Sequence, residues 1–227
     1  MKKVSPYLRS FSPLTIRVAF LLGASLFFLG LFIKLTSEIK EEDIIHFYDR
    51  QVLEWIGSLR TSFFNGPMMD VTALGSPTIL TIFAIFGVLL LLSLKNYFAA
   101  LYITVASIGA GIGTLLLKSI LGRERPDVIP KLVEVSGLSY PSGHSFGAAA
   151  FYFSAAIILI SYIKNFKVRI GLFIFSSLFI TMIGTSRIYL GVHYPSDVLS
   201  GIFLGISWSL LLAGIMVFYR ARSNYKQ

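Results

Sequence analysis

His193 and Asp197 lie four residues apart, a spacing that could prepare a histidine for nucleophilic chemistry. Pro195 stands between them where a helix would begin, so that Asp197 falls in the first turn of that helix. Its carboxylate can accept a hydrogen bond from one ring nitrogen and leave the other nitrogen as a nucleophile. Arg187, directly after Ser186, adds a cation six residues before the histidine. Taken alone, such a pair is equally typical of a solvated surface.

A second histidine, His144, closes the run Pro141-Ser142-Gly143-His144, which directly precedes a long apolar segment. Ser142 is placed to cap the start of a helix, where free backbone N–H groups attract anions. Gly143 would let a ligand approach the backbone, and His144 would supply a proton donor beside it. An ordinary capped helix with an interfacial histidine would have the same sequence.

A third group of residues is cationic. Lys118 is followed, after six residues, by Arg125 and Pro126, and Arg123 lies within the same stretch. Lysine offers a compact charge and arginine a planar fork that matches two phosphoryl oxygens. These cations could hold a phosphate, although basic side chains at helix ends also extend to the membrane surface without any ligand.

The composition indicates which elements position these groups. Of the 227 residues, 55% are hydrophobic and only 14% are charged, against about 25% charged in soluble domains. The first apolar run, Ile16 to Ile33, is too long for a signal-peptide core and is expected to remain as an anchor. Cysteine is absent, which excludes disulfides and thiolate metal sites.

We predict an all-α, polytopic membrane protein, a single integral membrane domain over residues 1–227. Its six transmembrane helices form a bundle, because a run of about 20 apolar residues is what a helix needs to cross the hydrocarbon core. The predicted spans are Leu14 to Leu35, Thr78 to Leu94, Tyr97 to Leu117, Ser145 to Ile163, Val168 to Thr185 and Val198 to Tyr219.

The distribution of charge predicts how the helices are oriented. Six spans place both termini on one side, where the termini and two tight turns carry many cations: Lys2, Lys3, Arg9, Arg17, Lys95, Lys164, Lys167, Arg169, Arg220, Arg222 and Lys226. Such loops are cytoplasmic, so the net charge of +9 reflects topology and not a nucleic-acid partner. All eleven acidic residues, from Glu38 to Asp197, lie in the opposite segments with the three groups of candidate residues.

The segment Glu38 to Ser76 is too polar to span and has apolar residues at helical spacing: Ile45, Tyr48, Val52, Trp55, Ile56 and Leu59. We expect one interfacial amphipathic helix that packs on the bundle or anchors it to the membrane, with gating of lipid entry as the alternative. Gly75-Ser76-Pro77 then predicts a turn, a cap and a first-turn proline for the second span.

Two rows of small residues predict close packing between spans. Gly201, Gly205 and Ser209 form one row at four-residue spacing, and Gly109 and Gly113 form another. Small residues at this spacing let helix backbones approach each other in a membrane.

The three groups form the patterns KxxxxxxRP from Lys118, PSGH from Pro141 and SRxxxxxHxxxD from Ser186. In this form they resemble the three motifs of the type 2 phosphatidic acid phosphatase superfamily, and every defining position matches. The resemblance covers about a third of the chain. It implies a six-span layout with the motifs at the outer face, and a membrane phosphatase acting on lipids.

The resemblance also implies a role for each residue. His193 attacks phosphorus in line to form a phosphohistidine, and Asp197 fixes its tautomer. His144 protonates the departing lipid oxygen and then activates water. The phosphate oxygens are held by the remaining motif residues: Lys118, Arg125, Ser142, Gly143 and Arg187.

We expect neither cofactor nor metal, since the cations can replace Mg²⁺ and the site has one certain carboxylate, too few for a two-metal cage. Glu124 and Asp127 are expected to be loop charges that pair with Arg123 or Lys131, and a metal site is their alternative.

The expected partners are the lipid bilayer and a lipid phosphate or pyrophosphate: undecaprenyl pyrophosphate, phosphatidylglycerophosphate, phosphatidate, a lipid A phosphate or a sphingoid phosphate. A soluble phosphate ester is the less favoured substrate. The small chain with short cytoplasmic tails points to a bacterial inner membrane. Lipid-phosphate phosphotransfer, or lipid binding and transport without bond cleavage, are the alternative functions, and the oligomeric state stays open.

Overall fold

The computed structural model describes residues 13–41 and 44–224. Eight helices connected by turns and loops make up this part of the chain, in agreement with the predicted all-α class. They are α1 Pro13–Glu41, α2 Ile44–Ser58, α3 Ser62–Ala73, α4 Pro77–Ser93, α5 Tyr97–Leu121, α6 Gly143–Tyr162, α7 Phe166–Tyr189 and α8 Pro195–Asn224.

Five of these helices, α1 and α5 to α8, are long and apolar enough to cross a membrane. The second predicted span, Thr78 to Leu94, corresponds to α4, which has 17 residues and follows α3 across a bend of 45°. The described residues therefore provide five spans, or six if α3 and α4 together form one. Several of the charges that served to orient the chain lie outside the described residues: Lys2, Lys3, Arg9, Glu42, Asp43 and Lys226.

Polar side chains set the ends of the helices that carry the site. Ser76 caps α4 by accepting a hydrogen bond from the amide of Ile79, and Pro77 begins that helix, as predicted. Gly122 ends α5 in the left-handed region, at a φ of 65°, where glycine has no side chain to strain. The connection from residue 122 to residue 142 then leads to α6.

The helix α8 packs against α1, α5, α6 and α7. Both predicted small-residue rows mark close packing. A side chain at Gly205 would lie 2.5 Å from Cβ of Ala149 on α6, and one at Gly109 would lie 2.5 Å from the ring of Trp208 on α8. This contact of α8 with α6 brings the second and third motifs together.

The segment between α1 and α4 differs from its prediction, because it forms two helices and not one. Arg60 lies between the two helices and donates from Nε to the carbonyl of Tyr189 at 2.8 Å and from Nη1 to that of Pro130 at 2.6 Å. The helix α2 is amphipathic, but the side chains that it buries are Asp49 and Leu53. The predicted apolar residues Tyr48, Trp55 and Leu59 are exposed, whereas Ile45, Val52 and Ile56 are half-buried.

Candidate active site

The side chains of His193 and Asp197 form a buried pair between the end of α7 and the start of α8, with 2% and 0% of their surfaces exposed. Nδ1 of His193 lies 3.2 Å from Oδ2 of Asp197. The same oxygen accepts the amide of Tyr194 at 2.9 Å and the hydroxyl of Ser139. A carboxylate held by several donors cannot rotate away, so it fixes the orientation of the imidazole ring.

Burial lowers the pKa of His193 to about 4, and its hydrogen bond to Asp197 only partly opposes this effect. The ring is therefore neutral at pH 7. With Nδ1 donating to Asp197, the lone pair resides on Nε2, which lies 3.3 Å from Nη1 of Arg125 and accepts from it. The geometry thus makes Nε2, and not Nδ1, the basic nitrogen of the ring.

Backbone carbonyls hold Arg125 beside this nitrogen. Its Nε donates to Gly137 at 2.9 Å, its Nη1 to Val192 at 2.8 Å and its Nη2 to Ser136 at 3.1 Å. A guanidinium fixed by three carbonyls presents its charge at a constant position. It can stabilise negative charge that develops near Nε2.

Two further cations, which come from different helices, line one cavity together with Arg125. Lys118, near the end of α5, donates to the carbonyl of Leu138, and Arg187, near the end of α7, donates from Nη1 to Oγ1 of Thr72 at 2.9 Å. Nε of Arg187 is buried and has no hydrogen-bond partner in the described part of the chain. It is therefore a donor available to an anion in the cavity.

The N-terminus of α6 forms another wall of the cavity. Ser142 caps this helix, as predicted, by accepting from the amide of Ser145 at 3.4 Å and from its hydroxyl at 2.9 Å. Gly143 and His144 line the cavity. A side chain at Gly143 would lie 2.8 Å from Cγ2 of Thr114, so this glycine also allows α6 to approach α5.

The cavity has a volume of about 620 Å³ and continues from the charged end between α4, α5 and α6. This extension is lined mainly by apolar and small residues: Leu80, Thr81, Ala110, Gly111, Thr114, Leu115, Gly147 and Phe151. One space therefore joins a cationic end with a histidine to an apolar groove, as a molecule with a phosphate and a hydrocarbon tail would require.

Comparison with known proteins agrees with this geometry. The profile of the PAP2 superfamily matches residues 96–221, which include all three motifs. This chain belongs to the PAP2 superfamily.

Two relatives and a solved structure that resemble this chain are named as phosphatases of lipids. The chain is 32% identical to phosphatidylglycerophosphatase B of Bacillus subtilis over 158 residues, 69% of this chain and 77% of the relative. It is 34% identical to a lipid A 1-phosphatase of Rhizobium johnstonii, over 56% of this chain and half of the relative. The crystal structure of a transmembrane PAP2 type phosphatidylglycerolphosphate phosphatase from Bacillus subtilis superposes with a TM-score of 0.78, at 27% identity, covering 84% of this chain and 94% of that one.

The structure brings together most of the residues predicted from the PAP2 motifs. Six of them line the cavity: Lys118, Arg125, Gly143, His144, Arg187 and His193. Asp197 lies behind His193, fully buried, and Ser142 lies within the protein with its hydroxyl engaged in the helix cap. The amide of Ser142 donates to the carbonyl of Asp197 at 3.0 Å, which joins the second motif to the third.

Arg123, one of the cations that the sequence suggested for phosphate binding, does not line the cavity. It forms ion pairs with Asp49 and Asp197, each at 2.7 Å, and these also replace the predicted pairing with Glu124 or Asp127. Two carboxylates surround the guanidinium more closely than any loop charge does. Asp49 carried no sequence signal, since a lone aspartate on an amphipathic helix is indistinguishable from a solvated one.

The alternative role of Glu124 and Asp127 was to bind a metal ion together with other side chains. Within residues 13–41 and 44–224, no three His, Cys, Asp or Glu side chains converge as a metal site requires.

Proposed function

We propose that this PAP2-type lipid phosphatase hydrolyses its substrate by in-line attack of Nε2 of His193 on phosphorus. The observation that carries the proposal is the placement of a neutral histidine, held through Nδ1 by Asp197, at the wall of a cavity with three cations. Attack forms a bond from nitrogen to phosphorus while the bond from phosphorus to the lipid oxygen breaks. The product is a phosphohistidine and a lipid alcohol, or a lipid phosphate where the substrate is a pyrophosphate.

His144 is the proposed general acid and base. It would give its proton to the departing lipid oxygen, because an alkoxide is a poor leaving group. Once neutral, it would take a proton from the water that attacks the phosphohistidine, and free phosphate would leave. Its place at the N-terminus of α6, in the same cavity as His193, supports this role.

The three cations are proposed to bind the equatorial oxygens of the phosphoryl group. Lys118, Arg125 and Arg187 come from three different segments and face one cavity, so they can surround a phosphate. The backbone amides of Gly143 and His144 at the start of α6 would add hydrogen bonds, with Ser142 contributing the cap that aligns them. Preorganised charges of this kind can stabilise the transition state without a metal ion.

The proposed substrate is a lipid phosphate whose tail occupies the groove between α4, α5 and α6. Phosphatidylglycerophosphate is the first lipid to test, because the names of a relative and of a solved structure from Bacillus subtilis both refer to it. Lipid A 1-phosphate, phosphatidate and undecaprenyl pyrophosphate complete the panel. A glycerol or lipid acceptor in the same assay reveals whether the phosphohistidine transfers its phosphate to an alcohol and not to water.

The active site is proposed to face the periplasm or the cell exterior. The described cations Arg17, Lys95, Lys164, Lys167 and Arg169 lie at the helix ends opposite the site, as do Arg220 and Arg222, and such clusters stay in the cytoplasm. Because the natural chain lacks cysteine, single cysteines at Lys131 and Asn165 can be probed in intact cells with a membrane-impermeant maleimide. Labelling at 131 alone supports the proposal, and labelling at 165 alone overturns it.

The mechanism is tested with purified protein in detergent and EDTA by following phosphate release from the lipid panel. His193→Ala should abolish release, whereas Lys167→Ala, an exposed change at the far end of α7, should not. Radiolabelled substrate, quenched on the millisecond scale, should leave an acid-labile, base-stable label on the wild type. Full activity of His193→Ala, or a label elsewhere, would refute the histidine mechanism, and binding without release would favour a lipid-binding protein.

A further inference from the structure

A buried network of charges extends from His193 to α2, a helix outside the three motifs. Oδ2 of Asp197 lies 3.2 Å from Nδ1 of His193. Its other oxygen, Oδ1, accepts a hydrogen bond from Nη1 of Arg123 at 2.7 Å. Nη2 of Arg123 continues to Oδ2 of Asp49 at 2.7 Å. All three charged side chains are at most 9% exposed. The carboxylate that orients the histidine is therefore itself held by a cation and a second carboxylate.

Arg123 is fixed on several sides. Its Nη1 also donates to Oγ of Ser196 at 2.7 Å, and its guanidinium carbon lies 4.0 Å from the ring centroid of Tyr194. Burial alone would lower the pKa of Arg123, but the carboxylates of Asp197 and Asp49 raise it above its ordinary value. Its charge is thus retained within the protein and directed at Asp197, away from the phosphate cavity.

Asp49 joins α2 to the start of α8 in a second way. Its Oδ1 accepts the amide of Ser196 at 2.9 Å, and its Oδ2 accepts the hydroxyl of the same residue. Ser196 immediately precedes Asp197, so Asp49 holds the backbone that carries the orienting carboxylate. A hydrophobic contact cannot supply this fixed geometry, because only an acceptor satisfies a buried amide and a buried guanidinium together.

We propose that Arg123 and Asp49 are positioning residues that fix Asp197 and set the net charge that His193 experiences. The inference rests on the proposed role of His193 as the nucleophile. It assigns to α2 the task of completing the active site from outside the three motifs. The exposed face of the same helix remains free to contact the lipid surface.

The effect on His193 has a definite sign. Other charged and titratable groups face the ring from each surrounding element: Asp197 of α8, Arg187 of α7, His144 of α6, Lys118 of α5, and Arg125 and Glu134 of the connection between α5 and α6. Arg123 neutralises part of the charge of Asp197. Without that cation, Asp197 would stabilise the imidazolium more strongly, and the pKa of His193 would rise.

The two partners should therefore shift the histidine in opposite directions. Arg123→Gln should raise the pKa of His193 by about one unit or more, because the positive charge that pairs with Asp197 is lost. Asp49→Asn should lower it by a smaller amount, since Arg123 then directs its whole charge toward Asp197. A merely structural role would weaken the fold without producing shifts of opposite sign.

The pKa can be measured without any substrate by NMR of ¹⁵N-histidine-labelled protein in micelles. The chain has three histidines, so single substitutions of His46, His144 and His193 assign the spectrum. Glu54→Gln on α2 is the matched control. Glu54 forms an exposed ion pair with Arg50 at 3.5 Å and does not take part in the buried network of ion pairs. Opposite shifts with an unchanged control are the expected result.

Arg123→Lys separates charge from geometry. It keeps the cation but cannot bridge two carboxylates with one planar fork, so the pKa of His193 should return close to the wild-type value. kcat should stay at least about tenfold low while KM changes little, since positioning and not binding is lost.

Shifts of the same sign, or none, in folded Arg123→Gln and Asp49→Asn would overturn the inference. If Arg123→Gln does not fold, Asp49→Asn and Arg123→Lys still decide it through the shift and the loss of kcat. An inactive wild type with the expected NMR shifts would instead refute the proposed function alone.

Discussion

Arg187 on α7 and Thr72 on α3 are joined by a hydrogen bond of 2.9 Å between Nη1 and Oγ1. Both side chains are buried, with 4% and 9% of their surfaces exposed. The contact ties one phosphate-binding cation of the proposed site to the helix that precedes α4. The segment before α4 therefore contributes to the site through α3 as well as through α2.

Thr72→Val should weaken substrate binding while leaving the protein folded. Valine has nearly the same shape but no acceptor, so the Arg187 guanidinium loses its partner and its fixed position, at a cost of about 1–3 kcal/mol. We expect KM to rise about tenfold, which corresponds to roughly 1.4 kcal/mol, with a smaller change in kcat. Thr181→Val on the exposed face of α7 is the control, and equal effects of the two variants would contradict this role.

The pH dependence of kcat/KM should report His193. Burial lowers its pKa to about 4, so the neutral nucleophile is present above this pH and is lost as the pH falls through it. Activity should persist at pH 5 and decline near pH 4. The ionisation of the substrate phosphate, near pH 6, is measured separately by ³¹P NMR and divided out. A fall in kcat/KM near pH 6.5 that remains after this correction would show that His193 is exposed to water.

The sequence predicted what depends on local pattern. Runs of apolar residues predicted the spans, and Ser76 and Ser142 were recognised as caps because capping requires only a few neighbouring residues. The motif residues were found because their chemistry and spacing together are specific. Their convergence on one cavity follows from the alternation of the helices, which returns Lys118 and Arg187 to the same end of the bundle.

Interactions between distant residues could not be predicted in this way. Arg123 and Asp49 are 74 positions apart, and nothing in the composition of α2 distinguishes its buried aspartate from its exposed acid, Glu54. Arg60, between α2 and α3, likewise donates to the carbonyl groups of Tyr189 and Pro130, which only the tertiary fold brings to it. Tertiary hydrogen bonds of this kind leave no pattern in the local sequence.

Gly205→Ala should destabilise the bundle and lower activity together. The added methyl group would lie 2.5 Å from Cβ of Ala149 and 2.8 Å from the carbonyl of Phe146, so α8 must move away from α6. Overpacking of this kind costs about 1–3 kcal/mol. Because Asp197 lies in the first turn of α8 and its carbonyl accepts the amide of Ser142, kcat should fall with the melting temperature.

The control for this change is Gly171→Ala on α7, where an added methyl group meets no atom within 4 Å. Alanine is also the better helix former, so thermal stability should be unchanged or slightly higher. Melting temperature and kcat are measured for both variants in the same detergent. Wild-type stability of Gly205→Ala would show that the contact between α6 and α8 is looser than the structure indicates.

Gly111→Phe should block the apolar groove and discriminate against long lipid tails. Gly111 lines the cavity from α5, and a Cβ there meets no atom within 4 Å, so a phenyl ring can occupy the space that the tail requires. Forcing a tail past the ring should cost about 1.4 kcal/mol or more, and kcat/KM for a C16 lipid phosphate should fall at least about tenfold. For a dihexanoyl analogue, whose short tails end before the groove, kcat/KM should fall less than about twofold.

Gly87→Phe on α4, where an added Cβ also meets no atom within 4 Å, is the control, because Gly87 lies outside the cavity lining. Equal losses for long and short tails would place the lipid chain elsewhere on the bundle and leave the groove without a role in binding.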